Sequence, residues 1–235
     1  MKAVFFFFFF LTQVFALKDS LIIMEKDFNS PAGVWFSTPK KQNSPSVIIW
    51  FHGGMQSSKC QKGLVAGQGL FELLEDPNVI IASPSACLDK HWLSPTLIKI
   101  TDKLIDSLEH HFNILIKEVN LVGVSDGALG VFAYSMNGKR AILSRLLISS
   151  NLSIVGDPKV FAQNTRLRSG AWFFMQGGQD RLYPASHVLP WLNSFCESIG
   201  SSCNVFFDSK GEHDWSYWTQ KHPKRIQQFK HPKLP

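Results

Sequence analysis

Residues Val122–Ala128 read Val-Gly-Val-Ser-Asp-Gly-Ala, a Gly-x-Ser-x-Gly pentapeptide centred on Ser125. A serine hydroxyl is a poor nucleophile until a base takes its proton, and the base works best when a third group fixes its tautomer. Backbone N–H donors must also wait where the oxyanion forms. The pentapeptide alone arises often by chance, so its setting carries more weight. Glu118–Val124 reads as a strand, and Ala128, Val131, Phe132 and Met136 form a helical stripe behind the serine. A sharp strand-to-helix turn exposes the hydroxyl and leaves no room for a side chain two positions to either side, where Gly123 and Gly127 stand. Ser125 is therefore the candidate nucleophile.

An elbow of this kind is followed along the chain by the acid and then the histidine. Each is sought on a loop just after a strand. Ala171–Gln176 is a continuous apolar run leading into Gly177-Gly178-Gln179-Asp180, where glycines would let the chain turn and present Asp180. Asp208, after the strand-like Asn204–Phe207, is the second choice of acid. Asp126 and Asp214 stand too close in sequence to Ser125 and His213 to orient an imidazole well. Among eight histidines, only His213, in Gly211-Glu212-His213-Asp214-Trp215, follows a strand and a glycine downstream of the acid. His110 and His111 end an amphipathic helix, His187 lies in the first turn of another, His91 in a loop, and His222 and His231 in a basic tail.

The oxyanion donors have their own candidate loop. Val47–Phe51 has the pattern of a buried strand and ends in His52-Gly53-Gly54-Met55. Glycines after a strand let the backbone approach a ligand and turn an N–H toward it. One donor would be the N–H of Asp126, next after the nucleophile; the other is that of Gly54, with Met55 as the alternative. His52 is expected to shape this substrate-binding loop by packing and hydrogen bonding rather than to carry protons.

In these stretches the chain resembles the α/β-hydrolases. Within them it is similar to the small secreted esterases grouped with polyhydroxybutyrate depolymerases, feruloyl esterases and the esterase D type. The matching residues are His52-Gly53-Gly54, Gly123-Val124-Ser125-Asp126-Gly127, Gly178-Gln179-Asp180 and Glu212-His213-Asp214-Trp215-Ser216-Tyr217-Trp218. The resemblance implies a Ser125–His213–Asp180 triad and hydrolysis of carboxylic esters through an acyl-enzyme, with no cofactor. It leaves the acyl group and the alcohol open, because one fold hosts many substrates. An acyltransferase or peptidase using the same serine, or a catalytically silent binding protein on this scaffold, are the alternatives.

The N-terminus points to export. Lys2 precedes Ala3-Val4, six phenylalanines and Leu11, and Val14-Phe15-Ala16 follows. A positive start, an apolar core of about ten residues and a small-residue cleavage pattern point to residues 1–16 as a secretory signal peptide, cut after Ala16, with an uncleaved anchor as the alternative. A spanning helix needs about twenty apolar residues, and Thr12, Gln13 and Lys18 interrupt this run first. The expectation is a secreted or periplasmic protein, without stable membrane insertion, whose residues 17–235 form one domain.

Four cysteines suit that compartment. They allow three pairings. Placement favours Cys60–Cys87, each after a strand (Val47–Phe51 and Asn78–Ala82), and Cys196–Cys203, tying a helix end to the next strand. No Cys-x-x-Cys or tight Cys/His cluster suggests a metal. The formal charge of +6 gathers partly in the tail, at Lys221, Lys224, Arg225, Lys230 and Lys233. No arginine-rich or aromatic-interleaved pattern suggests a nucleic-acid partner.

These parts must be positioned by alternating strands and helices. Leu21–Phe28 and Gly33–Thr38 read as opening antiparallel strands, followed by Val47–Phe51, a helix to about Leu74, and Val79–Ala82. Ser94-Pro95 starts a helix, serine as N-cap and proline at its first position, with Leu97, Ile100, Leu104, Ile105, Leu108 and Phe112 on one face. Then come the elbow strand, Arg145–Ile148, Ala171–Gln176, a helix over Ala185–Ile199, and Asn204–Phe207. Such alternation predicts an α/β fold, a mostly parallel twisted sheet covered on both faces. Only about twenty residues separate Ile148 from Gly170, too few for a large cap. An open cleft for an ester substrate, bulky or polymeric, is the expectation. Trp92, Trp215 and Trp218 either pack loops against the core or form an aromatic wall for the substrate.

Overall fold

The computed structural model describes residues 17–37, 45–54 and 57–230. The expected signal peptide and the alternative donor Met55 lie outside them. Within these residues, eight strands form one open sheet: β1 (Leu17–Glu25), β2 (Phe28–Phe36), β3 (Ser46–Phe51), β4 (Val79–Ser83), β5 (Glu118–Val124), β6 (Ala141–Ile148), β7 (Ala171–Gly177) and β8 (Cys203–Asp208). Their order is β1-β2-β4-β3-β5-β6-β7-β8. β2 alone runs against its neighbours; β4, β3, β5, β6, β7 and β8 are parallel. The carboxyl ends of β3, β5, β7 and β8 therefore share one edge, and so do the four loops that carry the motifs.

The nine helices of the described residues are α1 (Gly63–Ala66), α2 (Gln68–Leu74), α3 (Pro95–Phe112), α4 (Gly127–Asn137), α5 (Pro158–Phe161), α6 (Thr165–Arg168), α7 (Ala185–Ile199), α8 (Trp215–Lys221) and α9 (Pro223–Gln228). They cover both faces of the sheet, as the apolar runs on both sides of the strands require. Along β3 the side chains alternate. Val47, Ile49 and Phe51 join one core with Leu97, Ile100 and Leu104 of α3, Val131 and Phe132 of α4, and Leu192 and Phe195 of α7. Ile48 and Trp50 join the other, with Leu70 and Leu74 of α2, Trp218 of α8 and Ile226 of α9. Each such side chain, fully buried, contributes on the order of 1.5–3 kcal/mol. α3 begins as expected: Ser94 Oγ accepts from the Leu97 N–H at 3.4 Å, with Pro95 in the first turn.

Two expectations need correction. The opening hairpin turns at Lys26-Asp27, not between Phe28 and Gly33, and pairs Glu25 with Phe28. Lys26 takes φ +51°, which closes a two-residue turn without any glycine. β6 begins at Ala141, four residues earlier than its apolar pattern suggested, because it pairs with β5 from Glu118 onward. The segment between β6 and β7 is short and forms no separate cap domain, as expected. It folds into a short 3₁₀ turn (Ser153–Val155), α5 and α6, burying Leu152, Ala162 and Leu167. Trp191 of α7 holds it by donating from Nε1 to the Gly156 carbonyl at 2.7 Å.

Both expected disulfides are present. Cys60–Cys87 joins the loops after β3 and β4, and Cys196–Cys203 joins α7 to β8.

Candidate active site

Ser125 stands at the carboxyl end of β5 with φ +55°, a left-handed conformation rare outside glycine. Its N–H donates to the Ile148 carbonyl at 2.9 Å, tying the turn to β6. The flanking glycines make the turn sterically possible. A Cβ on Gly123 would come within 2.6 Å of the Gly127 carbonyl, and one on Gly127 would overlap the Phe51 carbonyl.

Asp180 and His213 reach this serine from the ends of β7 and β8. His213 Nε2 lies 2.9 Å from Ser125 Oγ, although 88 residues separate them. His213 Nδ1 lies 3.0 and 2.9 Å from the two Asp180 oxygens. The Asp180 carboxylate has no exposed surface, while His213 keeps about a quarter of its side chain open. Asp180 Oδ1 also accepts from the Leu182 N–H (3.0 Å) and the Tyr183 N–H (2.7 Å). Burial alone would push this carboxyl up, but the bonds to His213, Tyr183 and Leu182 outweigh it and hold the group below the usual carboxylate range. An ionised acceptor on Nδ1 leaves Nε2 as the basic nitrogen facing the hydroxyl.

The two loops meet by direct backbone contact. Gly178 N–H donates to the Asp208 carbonyl at 2.8 Å, and Gln179 N–H to the Gly211 carbonyl at 2.9 Å. A Cβ on Gly211 would fall 2.7 Å from Gly177 Cα, and one on Gly177 would overlap Gly211. The glycines after β7 thus serve close approach of two loops, rather than the free turning expected of them. Trp218 completes the frame, donating from Nε1 to Ser149 Oγ (3.0 Å) and to the Glu212 carbonyl (2.9 Å).

The loop after β3 abuts the serine turn. A Cβ on Gly53 would lie 3.0 Å from the Val124 carbonyl oxygen and 3.1 Å from Ser125 Cβ. Gly54 takes φ +66°, and its carbonyl accepts from Lys62 Nζ at 2.5 Å. His52 is buried with both ring nitrogens occupied. Nδ1 lies 2.9 Å from the Gly53 carbonyl, and Nε2 accepts from the Ala86 N–H at 3.0 Å. Burial, with Lys62 adding to it, pushes its pKa down to about 4, so the ring is neutral and shapes the loop.

The geometry decides between readings left open for three sets of residues. Trp92 and Trp218 are 1% and 0% exposed, so they form no aromatic wall for a substrate. Trp92 packs edge-on against Phe51 and His52 and donates to the His52 carbonyl at 3.0 Å. Trp215 is half-buried and packs edge-on against Trp50, ring centroids 4.8 Å apart. Asp208, the second choice of acid, does not approach His213. Its Oδ2 accepts from His222 Nε2 and the Tyr217 hydroxyl, each at 2.7 Å, which also takes His222 out of a purely solvated tail.

Two residues near the serine escaped the sequence. Lys62 is one. Tyr183 is the other: its hydroxyl donates to Asp126 Oδ1 at 2.7 Å, and its ring packs edge-on against the His213 imidazole at 5.1 Å. No spacing rule marks either, although Tyr183 lies only three residues beyond the acid. Beside His213 opens a groove of about 730 Å³, lined by Gln179, Asp180, Arg181, Leu182, Glu212 and His213 among others. Among the described residues, no group of three or more His, Cys, Asp or Glu side chains is placed to hold a metal ion.

No protein-family model and no curated relative matches the chain. Solved structures match it along most of its length. A ferulic acid esterase has a TM-score of 0.67 at 15% identity, covering 90% of this chain and 96% of that one. An esterase of Pyrococcus furiosus scores 0.64 at 13% identity, covering 91% of both. An acylaminoacyl peptidase of Pyrococcus horikoshii scores 0.63 at 11% identity; 92% of this chain spans only 40% of that one. With its strand order, these likenesses make the chain an α/β-hydrolase in fold.

Proposed function

We propose that the chain is a serine hydrolase that cleaves carboxylic esters through an acyl-enzyme on Ser125. The observation that carries this reading is the continuous relay Ser125 Oγ to His213 Nε2, and His213 Nδ1 to a buried, ionised Asp180. His213 takes the Ser125 proton as Oγ bonds to the ester carbonyl carbon. The carbonyl π electrons move onto its oxygen, which the N–H groups of Asp126 and Gly54 stabilise. Loss of one such donor lowers kcat by about 100- to 1,000-fold in serine hydrolases. The tetrahedral adduct collapses as the carbon–alkoxide bond breaks, and His213 returns the proton to the leaving alcohol. Water, deprotonated by the same imidazole, then attacks the acyl-enzyme and releases the acid and the free serine.

The esterase reading is favoured over the peptidase by extent. The ferulic acid esterase and the Pyrococcus furiosus esterase are matched over 96% and 91% of their lengths, the acylaminoacyl peptidase over 40%. The groove beside His213, lined by polar and apolar groups alike, leaves room for a bulky group on the ester. Export through cleavage after Ala16 is part of the proposal. Two disulfides support it, and no helix among the described residues is long and apolar enough to cross a membrane.

The test is turnover by purified residues 17–235 of p-nitrophenyl acetate, feruloyl and hydroxyalkanoate esters. Ser125→Ala should remove turnover while leaving the far-ultraviolet circular dichroism spectrum intact. Equal turnover by both proteins would overturn the proposal.

A further inference from the structure

We infer that Tyr183 is a positioning residue that clamps the serine turn to the loop carrying the acid and holds the imidazole between them. This rests on the hydrolase reading of Ser125 and goes beyond it, because Tyr183 belongs to none of the three reacting side chains. Three separate parts of one residue make the contacts. Its main-chain N–H donates to Asp180 Oδ1 at 2.7 Å. Its ring packs against the His213 imidazole, centroids 5.1 Å apart and planes at 79°. Its hydroxyl donates to Asp126 Oδ1 at 2.7 Å, across 57 residues of sequence. The Gln176 amide fixes the residue from behind, donating from Nε2 to the Tyr183 carbonyl at 2.9 Å.

The arrangement matters because of where Asp126 stands. Its N–H is the proposed oxyanion donor adjoining the nucleophile, and its carboxylate sits one residue from a developing negative charge. A phenol bonded to that carboxylate fixes its direction and, through it, the first peptide of the turn. Asp126 Oδ1 and the Ser125 turn cannot shift without breaking a charge-assisted hydrogen bond, which is stronger than a neutral one. Burial, followed by the bond to Asp126, pushes the phenol up to about 12, while the Ser125 hydroxyl nearby acts in the opposite direction. The phenol therefore stays protonated, and remains a donor, across the working range of a serine–histidine pair. The ring occupies the flank of the imidazole, which limits the tilts that would carry Nε2 away from the 2.9 Å contact with Ser125.

The experiment compares labelling of Ser125 by a fluorophosphonate, and hydrolysis of p-nitrophenyl acetate, in the wild type, Tyr183→Phe, Asp126→Ala and the double variant. Tyr183→Phe keeps the ring and loses only the hydroxyl. It should lower kcat and the labelling rate about tenfold, the loss expected for a hydrogen bond to a charged group, with KM within about twofold. The double variant should be no slower than Asp126→Ala, because both substitutions break one contact. Asp126→Asn, which keeps an acceptor oxygen for the phenol, should lose less than Asp126→Ala. If Tyr183→Phe does not fold, Asp126→Ala against Asp126→Asn reads the same contact from its other end. Wild-type rates in Tyr183→Phe, or fully multiplicative losses in the double variant, would overturn the role of Tyr183 and leave the hydrolase reading standing. A wild type that neither labels at Ser125 nor turns over would overturn both.

Discussion

The Lys62 ammonium donates to the Gly54 carbonyl at 2.5 Å, so a charged side chain from the start of α1 sets the backbone of the glycine loop beside Ser125. The bond restrains the carbonyl side of Gly54, whose own N–H, on the preceding peptide, is the proposed oxyanion donor. Lys62→Met keeps the apolar stem and removes the charge. It should lower kcat for p-nitrophenyl acetate about tenfold at unchanged KM, measured by steady-state kinetics. A rise in KM alone, with kcat unchanged, would mean the loop binds substrate without taking part in oxyanion stabilisation.

The contact between the loops after β7 and β8 gives a steric prediction. Gly211→Ala places a methyl group against Gly177 Cα and the Trp218 ring. The loops must part, and Asp180 and His213 part with them. The melting temperature should fall by several degrees, as for a destabilisation of about 2 kcal/mol, and labelling of Ser125 should slow in parallel. A stable, fully reactive Gly211→Ala would show that the two loops are positioned independently.

Much of the site is legible in the sequence. Ser125, Asp180 and His213 were found because each follows an apolar run that has to be a strand, and parallel strands deliver their carboxyl ends to one edge. Tyr183 and Lys62 were not, because a phenol reaching across 57 residues and an ammonium reaching a carbonyl obey no periodicity. Trp92 and Trp218, read as either packing or wall, are packing. A tryptophan near a site motif reads as packing or as a wall, and burial separates the two. The first hairpin turn carries no glycine to mark it, because Lys26 in a left-handed conformation makes it.

Acid stability should report Asp208. The Lys210 N–H, with His222 and Tyr217, holds its carboxyl down to about 2 in the folded protein, against about 3.9 unfolded. A depressed folded value means the unfolded state binds the proton first. The stabilisation is complete above about pH 4 and is lost as pH falls through about 2. Urea midpoints of the wild type and Asp208→Asn should therefore differ at pH 6 and converge at pH 2. A constant gap would mean that the charge is not what this carboxylate contributes.

Histidine 52 acts over a higher window. Its folded value of about 4 lies below the unfolded value of about 6.5, so the unfolded chain takes up a proton first as pH falls. Stability should decline between about pH 6.5 and pH 4 on this account, and His52→Gln should flatten that part of the profile. An unchanged slope in the variant would assign the decline to other groups.

The two disulfides should contribute unequally, because Cys60–Cys87 closes a separation of 27 residues and Cys196–Cys203 one of 7. Chain entropy makes the larger loop worth about 1 kcal/mol more. Urea unfolding of the two Cys→Ser double variants measures the difference, and a larger loss for the Cys196/Cys203 pair would contradict it.

The most direct test of the central claim is mass spectrometry of residues 17–235 after reaction with a fluorophosphonate at pH 8. A hydroxyl activated by His213 should give one adduct, on the peptide containing Ser125, and His213→Ala should slow its formation by at least about 1,000-fold. No adduct, or an adduct that forms as fast without His213, would contradict it.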